Sequence, residues 1–277
     1  MVFKFKEKLI SEINNLKMDD LINLSLVGSF QYANSLNVVN DVDIIIIVNQ
    51  LTSEIYSKIN SKFITLAESL TTDEINIIVE NRIGPLKPQI PCSGKVVQLH
   101  LLIYDLETWK NRKRKTVSFD WVNFCKFFFG TPLKDLTPLK ELKKEDLIQD
   151  WDINKSNILN RSAFSRVYFE DSGMMVYKKK SLPLSKEEYA EGIIYNVLVS
   201  FLNYLRYIDP SIIKQKEVLL ENGVLHLSKK YSDFMVEIYE LKSFLRNGND
   251  LAPKEISLLR KSACDFIDYL YSLLESK

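Results

Sequence analysis

A chain of 277 residues is long for one domain and comfortable for two. Its 46% apolar and 26% charged residues are the proportions of an ordinary globular protein, and a formal charge of +1 argues against broad electrostatic binding to DNA or an anionic membrane. Three widely spaced cysteines, Cys92, Cys125 and Cys264, exclude a disulfide framework and a thiolate zinc site, and fit reduced thiols in a cytoplasm. The charged, amphipathic start MVFKFKEKLISEINNLKMDD lacks the apolar core of a signal peptide. The longest apolar run, Ile44 to Val48, is far too short to span a bilayer.

In chain order, apolar residues from Phe3 to Leu16 recur near a 3.6-residue period and predict an amphipathic helix over about 3–17. Leu21 to Val27 is a short apolar segment ending at Gly28. Asp41 to Val48 (DVDIIIIV) predicts a strand that is apolar on both faces after its two acids, hence central in a sheet. Ser53 to Leu70 predicts a helix with Ser53 as a candidate cap. Glu74 to Asn81 and Lys95 to Tyr104 read as strands. With the proline-rich link RIGPLKPQIPCSG between them, they predict a long hairpin. VSFDWVNFCKFFFG predicts an aromatic helix stopped at Gly130. The chain beyond about Ile153 reads as mostly helical, most clearly at Glu187–Tyr207 and Lys254–Leu274. Asp209-Pro210 forms one break and Asn247–Asp250 a loop.

Side chains alternate along a strand, so Asp41 and Asp43 project to one side, close enough to share a cation. Two like charges beside a run of isoleucines repel each other and resist burial. Either they stand at a solvated strand end or a divalent metal compensates them, and carboxylate oxygens suit Mg²⁺ or Mn²⁺. Upstream, Gly28 and Ser29 offer main-chain N–H and a hydroxyl to a phosphate.

A Gly-Ser pair followed at this distance by Asp-x-Asp on an apolar strand resembles the signature of the nucleotidyltransferase superfamily related to DNA polymerase beta, which includes the antibiotic and minimal nucleotidyltransferases. The likeness spans roughly residues 17 to 104. It implies an α+β nucleotidyltransferase core, a mixed sheet flanked by helices, over 1–115. An aromatic helix and linker over 116–134 and an all-α domain over 135–277 would follow. The activity implied is metal-dependent transfer of a nucleoside monophosphate from an NTP to a hydroxyl of a small molecule, RNA or protein, with release of pyrophosphate. Asp41 and Asp43 would bind Mg²⁺ or Mn²⁺, and Gly28 and Ser29 would grip the β- and γ-phosphates.

The resemblance also implies a third carboxylate on a neighbouring strand. Alternation along KVVQLHLLIY places His100 at that position, where there is no acid. His100 can be a neutral metal ligand favouring Mn²⁺, a general base for the acceptor hydroxyl, or the mark of a degenerate site that only binds. Glu80 on the preceding strand is a candidate for the missing charge. The alternatives to transfer are a non-catalytic nucleotide- or partner-binding protein, or a toxin–antitoxin or defence component.

Arg82 and Lys87 flank the proline-rich link and are candidates to reach the nucleotide, or plain surface cations. Lys110 and Arg112 to Lys115, and likewise Lys178 to Lys180, read as solvated faces or as contacts to RNA or a phosphate-bearing acceptor. Trp109, Trp121 and Phe127 to Phe129 read as core. Glu187, Glu188 and Glu191 open the long helix as acceptor-side acids or as first-turn acids on its dipole. His226 reads as structural or exposed.

Overall fold

The computed structural model describes residues 2–16, 18–32, 41–81 and 95–276. Helix α1 (Val2–Asn14) precedes strand β1 (Leu21–Val27), a 3-10 turn at Ser29–Tyr32, strand β2 (Asp41–Val48) and helix α2 (Ser53–Leu70). Strands β3 (Asn76–Glu80) and β4 (Val96–Asp105) follow, then the short α3 (Leu106–Lys110), α4 (Lys115–Asn123) and strand β5 (Lys126–Gly130). These strands form one mixed sheet in the order β3-β4-β2-β1-β5. The cap of α2 is Thr52, one residue before the expected Ser53; its hydroxyl accepts from the Ile55 N–H at 3.1 Å.

Three expectations are corrected. β3 and β4 are not a hairpin: they pair in parallel, Glu80 opposite His100, and β4 pairs in parallel with β2 on its other side. The aromatic helix is only half a helix, because KFFFG extends along β1 as an antiparallel edge strand. Phe127 and Phe129 are therefore exposed, while Phe128 packs against the core. Gly130 ends this strand at φ 83°, and a Cβ there would lie 2.0 Å from the Ile22 carbonyl oxygen, so the edge closes on backbone that tolerates no side chain.

Beyond α5 (Leu133–Leu136), the C-terminal region is helical, with α6 (Lys144–Leu159), α7 (Lys186–Ile208), α8 (Lys216–His226), α9 (Lys229–Arg246) and α10 (Pro253–Glu275). The third correction lies here. The region is not all helix but carries a hairpin, β6 (Ser162–Asp171) and β7 (Met174–Pro183). Ser172 and Gly173 turn it with φ of 52° and 81°, the left-handed pair that a two-residue hairpin demands. Among the described residues no helix is long and apolar enough to cross a membrane.

Alternation divides the sheet into two faces. Val42, Ile44, Ile46 and Val48 of β2, with Leu99, Leu101 and Ile103 of β4, pack against Leu9 and Ile13 of α1 and Phe63 and Leu66 of α2. Ile45 and Ile47, with Leu102 and Tyr104, pack the opposite way against Trp109, Val122 and Leu133. Both faces are covered, which is why the isoleucine run is wholly buried. A third core surrounds α7, where Val197, Phe201 and Leu205 meet Trp151 of α6 and Phe266 of α10.

Candidate functional site

Register builds the site. β2 and β4 run side by side with Asp41 opposite Gln98 and Asp43 opposite His100, and β3 adds Glu80 opposite His100. Partners across a ladder point to the same side, so Asp43, His100 and Glu80 form a row across three strands on the face that carries Ile45 and Tyr104. Both aspartates are half-buried, and Asp43 keeps 23% of its side chain exposed against 4% for His100.

On the other flank, β1 delivers Gly28. Val27 is opposite Asp43 in the antiparallel ladder, and Gly28 follows at φ 78°. A Cβ on Gly28 would lie 2.6 Å from Asp43 Oδ2, so only glycine lets the chain pass this carboxylate and turn into the segment opened by Ser29. Gly28→Ala is expected to cost about 1–2 kcal/mol through the left-handed backbone alone and to push the Asp43 carboxylate aside. Urea denaturation checks the first effect, and nucleotide binding checks the second.

His100 is held at both ring nitrogens. Nδ1 lies 2.7 Å from Asp43 Oδ1, and an Arg166 terminal nitrogen lies 3.2 Å from Nε2. A guanidinium can only donate, so Nε2 accepts and the ring proton sits on Nδ1, which donates to Asp43. A metal bound to His100 would have to displace Arg166 from Nε2. Arg166 comes from β6 and is buried; its other terminal nitrogen donates to the Tyr104 hydroxyl at 2.8 Å. The hairpin reaches the sheet through further fixed contacts. Tyr168 donates to the Ile103 carbonyl at 2.8 Å and packs on Tyr56, and the Met175 N–H donates to the Leu51 carbonyl at 2.7 Å.

Burial opposes ionisation of Tyr104, but the charges of Arg166 and Arg112 and the Arg166 hydrogen bond outweigh it, so the phenol ionises below its ordinary value. Arg112 stacks 4.1 Å from the centre of Trp121 and 4.6 Å from Trp109.

Facing Asp41 is a charged group from the helices. Burial raises the Glu191 carboxyl above its usual range, aided by Asp41 and opposed by Arg246 and Lys242. Burial, with Arg246 and Lys214, lowers Lys242 to about 8 against the pull of Asp41 and Glu191. Glu188 is spent on the helix: it accepts from the Ser185 N–H at 2.8 Å while Ser185 Oγ accepts from its own N–H. Arg82 and Lys87 lie outside the described residues. Sequence reasoning missed Arg166, Lys214, Lys242 and Arg246. The signal for the first was an arginine within an alternating, aromatic run, SAFSRVYFED, preceding an Asp-Ser-Gly turn.

Asp41 and Asp43 present two carboxylates from one face of β2. Mg²⁺ takes one or two carboxylates and completes its shell with water and phosphate oxygens. Among the described residues no three or more His, Cys, Asp or Glu side chains group so that they could hold a metal ion.

This chain is similar in structure to the spectinomycin adenyltransferase AAD(9) of Enterococcus faecialis, solved with ATP and spectinomycin, at a TM-score of 0.52 over 96% of this chain and 99% of that one. The two chains share one fold. Sequence identity between the two is 10%. No protein-family model matches the chain, and no curated protein matches it in sequence. The nucleotidyltransferase fold accounts for the mixed sheet, the flanking helices and the helical C-terminal region.

Proposed function

We propose that the protein transfers a nucleoside monophosphate from an NTP to a hydroxyl. The observation that carries this reading is Gly28 set against Asp43 at the start of a strand that presents Asp41 and Asp43 on one face. Asp41 and Asp43 would hold Mg²⁺ or Mn²⁺, which when bound neutralises phosphate charge. The turn at Gly28 and Ser29 would hold the β- and γ-phosphates. His100 orients Asp43 through its Nδ1 proton, with Arg166 fixing the ring. ATP as the nucleotide and a small-molecule acceptor are supported by the structural likeness to an enzyme solved with both.

The test is calorimetric titration with ATP, GTP, CTP and UTP, with and without Mg²⁺ or Mn²⁺, on the native protein and on Asp41→Asn/Asp43→Asn. Metal-dependent binding of at least one NTP, lost in the double variant, is expected. No binding under either metal overturns the proposal. One observation favours a second reading, a nucleotide-binding protein without transfer: Arg166 is seated on His100, where the resemblance calls for an acid. In that case NTP binds and no acceptor releases pyrophosphate.

Lys242, within electrostatic reach of Asp41, and Arg246 and Lys214, within reach of Lys242, are suited to a triphosphate. The sign of the pH dependence follows. Lys242 is charged below about 8 and loses its proton above it, so NTP affinity is expected to fall as pH rises through 8. Lys242→Arg should flatten that profile, since guanidinium stays charged.

A further inference from the structure

We infer that Gln31 is a positioning residue for the nucleotide, one that sets the main chain of the Gly28–Ser29 turn on which the β- and γ-phosphates would rest. The inference rests on the proposed transfer and adds a residue that acts through the turn and touches no reacting atom.

A turn that holds phosphate must keep its peptide planes fixed, because a main-chain N–H that swings away is lost as a donor. Gln31, half-buried, lies two residues beyond Ser29. Its Nε2 donates to the Phe124 carbonyl at 2.7 Å and, over a longer 3.4 Å, to the Gly28 carbonyl. Carbonyl oxygens only accept, so the amide nitrogen of Gln31, and not its oxygen, faces them. One side-chain amide thus ties the turn to a residue 93 positions further along the chain.

The tie has a direction. Among the described residues every peptide bond is trans, and a trans peptide sets its carbonyl and its N–H on opposite sides. With the Gly28 carbonyl held toward Gln31, the Ser29 N–H is turned the other way, the side from which a phosphate oxygen would have to approach it. Glycine on one side of this peptide leaves its plane the softest in the turn, so a tether here has most effect. The anchor is firm. Phe124 ends α4, with its own N–H donating to the Asp120 carbonyl at 3.0 Å. The buried guanidinium of Arg206 on α7 lies 4.3 Å from the centre of its ring and pairs with Asp120 at 2.7 Å. On the other side Lys6 of α1 donates to the Gln31 carbonyl, and the neighbouring Phe30 ring is buried in the core shared with α1. The turn is therefore held between α1 and α4, and through Phe124 it is in register with α7.

The test compares ATP with AMP, in Mg²⁺, on the full native chain, Gln31→Met and Gln31→Ala. Where the native protein prefers another base, the triphosphate and monophosphate of that base take their place. ATP is titrated directly and AMP by displacement, so that weak binding is still read. Methionine keeps the length of the side chain and removes its donors; alanine carries the test if methionine does not pack. The triphosphate is expected to bind about fivefold more weakly to the variants, the net effect of one lost hydrogen bond. The monophosphate, with no β- or γ-phosphate, should bind as it does to the native chain. A side chain that only supported the fold would not separate the two nucleotides. Unchanged triphosphate affinity, or an equal loss for both nucleotides, overturns the inference and leaves the transfer reading standing. Absence of NTP binding by the native chain overturns the transfer reading and the inference with it.

Discussion

Asp43→Asn is expected to reduce pyrophosphate release by about a thousandfold, the several kcal/mol of charge stabilisation that a bound metal supplies. Asparagine keeps the shape of the carboxylate, and its amide oxygen still accepts the proton on His100 Nδ1, so the sheet has no reason to rearrange. Removing one of two like charges on a half-buried strand end relieves repulsion. The melting temperature should therefore hold or rise while turnover collapses, as at sites where function is kept at the expense of stability. A coupled pyrophosphate assay and a thermal melt on one sample check both. Native-like turnover in the variant would remove Asp43 from the metal site.

Asp150→Ala is expected to destabilise the protein by about 3–5 kcal/mol, the usual effect of stripping one member from a buried charged pair. Asp150 is buried on α6 and is the shared acceptor of three elements. Arg114, at the start of α4, donates to Oδ1 through Nε at 2.9 Å and again through a terminal nitrogen. Asn203 of α7 donates to Oδ2 at 2.7 Å, and Asn154 at 3.2 Å. Alanine strips the shared acceptor from the guanidinium and two amides, leaving Arg114 the Asn154 Oδ1 at 3.2 Å and Asn154 the Ser200 hydroxyl at 3.0 Å. Urea denaturation measures the loss. Asp150→Asn, which keeps an oxygen but not the charge, should fall between the two. An alanine variant within 1 kcal/mol of the native protein would show that water replaces the carboxylate.

The two acids and their strand were legible because a strand's period of two is written directly in DVDIIIIV, and a run apolar at every position demands cover on both faces. The glycine could be matched to the acids by spacing, although its contact with Asp43 belongs to three dimensions. The direction of β3 relative to β4 was not legible. Alternation reports faces and says nothing of parallel or antiparallel pairing, and a proline-rich link mimics a turn. KFFFG was misread because three adjacent aromatics have no period. The hairpin was missed because many of its residues are exposed, which blurs the contrast between faces, and three consecutive lysines resemble a solvated loop. Arg166 went with it. Its role depends on His100 lying 66 residues away, a pairing that no local pattern encodes.

The strand order has a consequence for synthesis. A ribosome releases this sheet incomplete: β4 is in place long before Lys126–Gly130 can close the β1 edge, and Arg166 emerges later still. In that interval the Tyr104 face lacks its hairpin cover and β1 shows a bare hydrogen-bonding edge, an invitation to pair with another nascent chain. Cells making this protein rapidly should need chaperone protection at that stage, and a truncation ending at residue 115 should aggregate when expressed alone.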